Sequence, residues 1–167
     1  MESVSASIKV NAPPERVFDL LADLSTRPAF TDHFMQELRV ERIPTDGVGA
    51  AARLQTGPRR NRIWMETVIG AVDRPAKIEE QGHGGRSDRI PIFTTWELAT
   101  VSGPRTEINV SFRTEPAGRL DRMKELGSRP WYRRRWSRAL RRLKKIVETQ
   151  APPERIKIAG GDRVPIT

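Results

Sequence analysis

The chain has 167 residues, no cysteine, and 30 lysine and arginine residues against 21 aspartate and glutamate residues, which gives a formal net charge of +9. This length is typical of one domain that buries a sizeable core without disulfides or metals. The absence of cysteine excludes a disulfide framework, a thiol nucleophile and a thiolate zinc site, and it favours the reducing cytoplasm. The first thirty residues lack the pattern of a signal peptide, and no stretch approaches the roughly 20 apolar residues of a membrane span. We therefore expect a soluble, cytoplasmic protein.

The positive charge is concentrated in one segment of the chain. Eight basic residues and no acidic residue lie between Trp131 and Lys145. Subtracting these eight charges from +9 leaves a net charge of +1 for the remainder, which is therefore almost neutral. A protein that tracks nucleic-acid phosphates more often spreads its basic residues over several elements and interleaves them with aromatic residues. The charge by itself therefore does not decide the function.

The N-terminal part of the chain shows one strand pattern and two helix patterns. Residues 4–10 place small or apolar and polar side chains in turn, which is typical of a half-buried strand. The two prolines that follow suit the first turn of a helix, and apolar residues then recur on one side of that helix through Leu24. A second short helix is predicted from Ser25 to about Phe34, because Pro28 suits its first turn. Two short helices are therefore expected after the first strand.

The middle of the chain shows a series of strands separated by turn residues. Glycine, proline, aspartate and asparagine recur in connections that are short enough to require antiparallel neighbours. The predicted strands lie at 38–43, 50–56, 63–72, 76–81, 90–101 and 106–114. Together with the first strand they are expected to form one seven-stranded antiparallel sheet.

A long amphipathic helix is predicted near the C-terminus. Its apolar stripe follows helical spacing and consists of Tyr132, Trp136, Leu140, Leu143 and Val147. Its opposite side carries the basic residues Arg133, Arg134, Arg138, Arg141, Arg142 and Lys145. Residues 151–167 show no sustained period, so we expect one domain over residues 1–150 and a flexible tail after it.

Several short motifs of the sequence resemble those of a known superfamily. The run from Ala12 to Leu24 reads Ala-Pro-Pro-Glu-Arg-Val-Phe-Asp-Leu-Leu-Ala-Asp-Leu, which is similar to the opening of the polyketide cyclase/dehydrase and lipid-binding branch of START-like proteins. Gly47-Val48-Gly49, the turn Val72-Asp73-Arg74-Pro75 and the tryptophan-bearing sixth strand also fit, so the resemblance covers about residues 4–148. It implies the α+β helix-grip fold, in which a seven-stranded antiparallel sheet wraps around a long C-terminal helix, with two short helices between strands one and two.

The resemblance implies a container for a small hydrophobic molecule. START-like proteins enclose lipids, polyketides or other apolar ligands between sheet and helix, and some are cyclases, so cyclase or dehydratase activity stays open. The run Arg27-Pro28-Ala29-Phe30 is similar to a Tyr-Pro-x-Phe motif of quinone-binding relatives, although their other markers are absent. The residues expected to line the cavity are Phe18, Leu21, Phe30, Trp64, Phe93, Trp96, Phe112, Met123 and Trp131. Ordinary core packing is the alternative role for each of them.

Two residues are candidates for proton transfer. Glu66 would sit among aromatic residues if its side of the fourth strand faced inward, and burial there would raise the pKa of its carboxyl group. The alternative phase points Glu66 outward and places Met65 in the core. His83 lies among glycines near the expected mouth of the cavity, where it is either a proton carrier or a solvated loop residue. The two histidines are far apart and cysteine is absent, so no metal site and no cofactor are expected.

The basic side of the C-terminal helix supports a rival function. A row of basic residues is most often a solvated face, but it also suits an anionic membrane, RNA or the ribosome. We therefore carry two hypotheses: a binding protein for a small hydrophobic ligand, and a non-enzymatic interaction protein that works through this helix. The sequence leaves the ligand and the oligomeric state undetermined.

Overall fold

The computed structural model describes residues 3–41, 44–60, 62–116, 118, 122–123 and 127–149. The described residues form seven strands, three α-helices and two 3-10 turns. In chain order these are β1 (Val4–Val10), α1 (Pro14–Ala22), a 3-10 turn (Leu24–Thr26), α2 (Pro28–Thr31), β2 (Met35–Val40), β3 (Ala51–Thr56), β4 (Ile63–Asp73), β5 (Lys77–Gly84), a 3-10 turn (Arg86–Asp88), β6 (Ile90–Ser102), β7 (Arg105–Thr114) and α3 (Ser128–Thr149). The predicted α+β helix-grip fold is confirmed.

The strands form one antiparallel sheet in the order β1-β7-β6-β5-β4-β3-β2. Strands β2 to β7 form a meander, because each pairs antiparallel with the strand that follows it in the chain. The first strand pairs instead with β7, so that β1 and β2 lie at opposite edges of the sheet. The chain must therefore cross from one edge to the other between β1 and β2, and α1 and α2 lie in this crossing.

Among the predicted boundaries that differ from the structure, two have a clear local cause. Strand β2 begins at Met35 rather than at 38, and the backbone of Glu37 has a φ of 52°, where the register with β3 shifts. A bulge of this kind interrupts the alternation that sequence analysis depends on. Helix α2 ends at Thr31 rather than near Phe34, because Phe34 turns back to donate its N–H to the Thr31 carbonyl at 3.0 Å. The predicted tail at 151–167 lies outside the described residues.

The core lies between the concave face of the sheet and α3. All five residues of the predicted apolar stripe are buried, so the amphipathic interpretation of this helix is confirmed. The strands contribute alternate residues to the same layer, as the two-residue period of a strand requires. No helix among the described residues is long and apolar enough to cross a membrane.

Strands β4 and β5 approach each other closely at Gly82. A Cβ atom placed on Gly82 would lie 1.8 Å from the carbonyl oxygen of Glu66 and 2.7 Å from its carbonyl carbon. Both are backbone atoms of the neighbouring strand, which cannot move away without breaking the pairing. Glycine is therefore required here by the close approach of two backbones rather than by turn chemistry.

We expect Gly82→Ala to destabilise the protein severely. The added methyl group would force β4 and β5 apart, at a cost of about 3 kcal/mol or more, the upper end for overpacking. Urea denaturation followed by circular dichroism measures the change in the free energy of unfolding. Gly70→Ala is the matched control, because a Cβ atom there would meet only the flexible side chain of Gln81 at 3.3 Å. An equal loss in both variants would contradict this account.

Candidate functional site

A buried ion pair lies on the concave face of the sheet. Arg27 Nη2 is 2.6 Å from Glu80 Oε1, and both side chains are only 3% exposed. Arg27 lies between the first 3-10 turn and α2, whereas Glu80 points inward from the middle of β5. Because removing two charges from water is unfavourable, such a pair needs good geometry and further hydrogen bonds.

The two carboxylate oxygens of Glu80 have further donors. Trp96 Nε1 donates to Oε1 at 2.8 Å, and the hydroxyl of Thr67 donates to Oε2 at 3.0 Å. Arg27 in turn donates from Nη2 to the carbonyl of Leu21 at 3.1 Å, and its guanidinium lies 5.1 Å from the ring centroid of Trp96. The four side chains Arg27, Glu80, Trp96 and Thr67 therefore form one polar network, which joins three strands to the helical crossing.

Aromatic side chains surround this network. Trp96 and Trp136 meet edge to face with ring centroids 5.4 Å apart, and Phe34 meets Trp136 at 5.1 Å. Phe30 lies against Trp96 at 6.3 Å, and Phe112 against Trp136 at 6.1 Å. These separations are typical of favourable aromatic pairs. The interior is therefore a continuous aromatic layer shared by α2, the sheet and α3.

Three buried polar atoms have no hydrogen-bond partner among the described residues: Arg27 Nε, Trp136 Nε1 and Thr56 Oγ1. The indole of Trp136 is fully buried, and Arg27 is almost so. An unsatisfied buried polar group costs about 1–3 kcal/mol, and native structures contain few of them. The two nitrogens are both donors, so the interior can offer N–H groups to an oxygen of a bound molecule.

The structure places six of the nine predicted cavity residues at the core. Phe18, Leu21, Phe30, Trp96 and Phe112 are buried. Trp131 is half-buried, with its ring 6.2 Å from that of Phe34. Within the concave interior, Phe30, Trp96 and Phe112 belong to the aromatic layer.

The other three predicted cavity residues do not face the interior, contrary to the prediction. Trp64 and Phe93 lie on the outer face of the sheet. The guanidinium of Arg53 lies 5.4 Å from the ring centroid of Trp64, and that of Arg113 lies 4.4 Å from the ring centroid of Phe93. The strand phase explains their position, because Met65 and Ile92, their neighbours in sequence, occupy the inward positions. Met123 is 66% exposed and so does not line the interior.

The candidates for proton transfer also lie outside the interior. Strand β4 adopts the alternative phase, in which Met65, Thr67 and Ile69 are buried and Glu66 points outward. His83 is exposed on the outer face of β5, beside Pro91 of β6. Neither group is positioned to act on a molecule held between the sheet and α3.

The polar network was not predicted from the sequence, although the sequence contains one signal of it. Glu79 and Glu80 are adjacent in a strand, so one of the two carboxylates has to face the core side. Ile78 settles which one, because a core residue two positions earlier points to the same face as Glu80. Arg27 was noticed only within its motif, and nothing in the local sequence shows that it is buried.

A second charged cluster joins α2 to α3. Arg142 forms an ion pair with Asp32 and also donates to Nδ1 of His33 at 3.3 Å. The other ring nitrogen of His33 therefore carries the proton and donates to the carbonyl of Arg135 at 3.2 Å. Burial lowers the pKa of the His33 imidazole, and the positive charges of Arg138 and Arg142 lower it further, against the hydrogen bond to Arg135. The hydrogen bond from Arg142 lowers the pKa of the Asp32 carboxyl group.

Residues 1–148 match the family described as polyketide cyclase / dehydrase and lipid transport. The chain belongs to this family. The resemblance to START-like proteins is thereby confirmed, and the family description names polyketide cyclases, dehydrases and lipid transport. No curated protein matches the sequence.

Solved structures show the same fold at low sequence identity. The KanY protein, solved by NMR, is 20% identical, with 87% of this chain and 97% of that chain covered and a TM-score of 0.69. A protein of Thermus thermophilus is 18% identical, with 90% and 99% covered and a TM-score of 0.66. A START superfamily protein of Mycobacterium smegmatis is 13% identical, with 89% and 99% covered and a TM-score of 0.61. At these identities the likeness concerns the fold alone.

We expect the buried ion pair to behave as a coupled unit. Arg27→Met should destabilise the protein by about 3–5 kcal/mol, because it leaves the Glu80 carboxylate buried without its cation. Adding Glu80→Gln to Arg27→Met should recover a large part of that loss, because the unpaired charge is removed. Urea denaturation of the wild type, the two single variants and the double variant gives the coupling energy. Strictly additive losses would show that the two side chains do not depend on each other.

We expect stability to fall as the pH drops below about 6.5, the ordinary pKa of histidine. The pKa of His33 is lower in the folded protein than in the unfolded chain, so the unfolded chain binds a proton at this residue more readily. The contribution of neutral His33 to the free energy of unfolding is therefore complete above about pH 6.5 and is lost as the pH falls toward the pKa of the folded state. The slope from one proton is at most about 1.4 kcal/mol per pH unit. Thermal unfolding between pH 5 and 8 measures it. His33→Gln should flatten the profile, whereas an unchanged profile, or an equal effect of His83→Gln on the exposed outer face, would contradict the assignment.

Proposed function

We propose that this protein binds a small, flat, largely apolar molecule that carries carbonyl or phenol oxygens, between the concave face of the sheet and α3. Membership of the family supports a hydrophobic small molecule as the ligand class. The observation that carries the proposal is the indole N–H of Trp136, which is fully buried and has no acceptor among the described residues. A ligand oxygen beside it would supply that acceptor.

The surroundings of Trp136 favour an aromatic ligand. Its ring is met edge to face by Trp96 and Phe34, and the ring of Phe112 is tilted against it. Such rings can separate and stack on a flat molecule, which then replaces one set of aromatic contacts by another. Polyketide-derived molecules combine a flat apolar skeleton with oxygens along its edge, and this composition matches an aromatic layer with two unsatisfied donors.

The polar network supports binding rather than proton transfer. Both oxygens of Glu80 already accept hydrogen bonds, one from Arg27 and Trp96 and the other from Thr67. A carboxylate held by three side chains is well suited to fixing Arg27 in place. The Nε atom of that guanidinium is the second unsatisfied donor, so Glu80 acts as the residue that positions it.

We expect Trp136→Phe to weaken ligand binding about fivefold to tenfold, because the change removes one hydrogen-bond donor and keeps an aromatic ring. The probe is emodin, a hydroxyanthraquinone, titrated into the protein by isothermal titration calorimetry. Trp64→Phe is the matched control, since Trp64 lies on the outer face and should leave the affinity unchanged. Equal affinities of the wild type and Trp136→Phe would remove the role of the indole. Failure of the wild type to bind emodin, together with no co-purified small molecule in native mass spectrometry, would overturn the proposed function.

A further inference from the structure

A row of exposed basic residues runs along the solvent side of α3. We define the cationic stripe as Arg134, Arg138, Arg141 and Lys145, which are all exposed. Their spacings of four, three and four residues bring them onto one narrow side of the helix, opposite the buried apolar stripe. At 1.5 Å per residue they span about 17 Å along the helix axis. The stripe is therefore a continuous surface of four positive charges.

Two basic residues that flank the stripe are paired with carboxylates, whereas those of the stripe are not. On one side Arg142 pairs with Asp32, and on the other Lys144 lies 3.5 Å from Glu148. Among the residues that the structure describes, no carboxylate lies within ion-pair distance of the four stripe residues. The fold thus pairs Arg142 and Lys144 internally and leaves the charges of the stripe for an external partner of opposite charge.

We propose that the cationic stripe docks this protein on the surface of an anionic phospholipid membrane. Outside residues 131–145 the chain carries a net charge of only +1, so the positive field arises mainly from α3 and orients the molecule toward a negatively charged plane. All the apolar residues of the helix stripe are buried against the sheet, so the contact is with lipid headgroups and involves no insertion. Each basic residue at such a surface strengthens binding roughly fivefold.

The same features argue against a nucleic acid as the partner. Single-stranded nucleic acids are held by aromatic side chains that stack on the bases between the basic residues. Trp131 is the aromatic residue of α3 nearest the stripe, but it packs against Phe34, and the guanidinium of Arg135 lies 5.3 Å from its ring centroid. Tyr132 and Trp136 are buried. The stripe therefore offers charge without a stacking surface, which suits headgroups better than bases.

The test is co-sedimentation of the full chain with phosphatidylcholine vesicles that contain about 30% phosphatidylglycerol, an anionic lipid. The wild type should bind these vesicles at about 0.05 M salt, should not bind pure phosphatidylcholine, and should be released at about 0.5 M salt, where charges are screened. The variant Arg134→Gln, Arg138→Gln, Arg141→Gln, Lys145→Gln should bind about a hundredfold or more weakly. The matched control, Arg59→Gln, Arg60→Gln, Arg62→Gln, Arg105→Gln, removes four exposed charges elsewhere and should bind at least tenfold more tightly than the stripe variant.

The proposal is overturned if the wild type does not sediment with the anionic vesicles. It is also overturned if the control loses as much binding as the stripe variant. Tighter binding of the wild type to single-stranded RNA than to the vesicles, in about 0.15 M salt, would also overturn it and would identify a nucleic acid as the partner. Membrane docking goes beyond the proposed ligand binding and fails independently of it, since the stripe variant should bind emodin as the wild type does.

Discussion

The interior of this protein is organised around a carboxylate that is almost completely buried. Glu80 projects from the centre of the curled sheet, and its charge has to be matched within the fold. Arg27 matches it, and in doing so it has to enter the core from the crossing between β1 and β2. Its hydrogen bond to the Leu21 carbonyl ties the end of α1 to the same point. One ion pair therefore sets where the helical crossing lies on the sheet.

The aromatic layer follows from this arrangement. Trp96 uses its N–H to satisfy Glu80, and its ring lies between the guanidinium of Arg27 and the edge of Trp136. The second tryptophan is in the same layer but lacks an acceptor among the described residues. Two indoles in one core therefore have different roles: one completes an internal network, and the other presents a donor to whatever occupies the interior. This asymmetry is the basis of the proposed binding site.

Helix α3 has two chemically different sides. Its apolar residues pack against the concave face of the sheet, and its cationic stripe, on the opposite side, faces solvent. Side chains on opposite sides of a helix do not touch, so the stripe residues make no contact with the buried apolar residues of α3. Arg142 forms an ion pair with Asp32 and a hydrogen bond with His33, and these contacts join the end of α2 to α3. A ligand taken up inside and a membrane met outside would thus act through one rigid element.

The sequence alone determined the order of the elements, the antiparallel meander and the two-sided character of α3, because these depend on local period, turn residues and short connections. The family resemblance was also readable from the run between Ala12 and Leu24. Only the tertiary structure decided which face of β4 and β6 looks inward, since a strand with apolar residues on both faces has no preferred phase until it pairs. That choice moved Trp64, Phe93 and Glu66 out of the site and brought Thr67 into it. The burial of Arg27 against Glu80 joins positions 53 residues apart, and a charge pair at that separation leaves no periodic trace in the sequence.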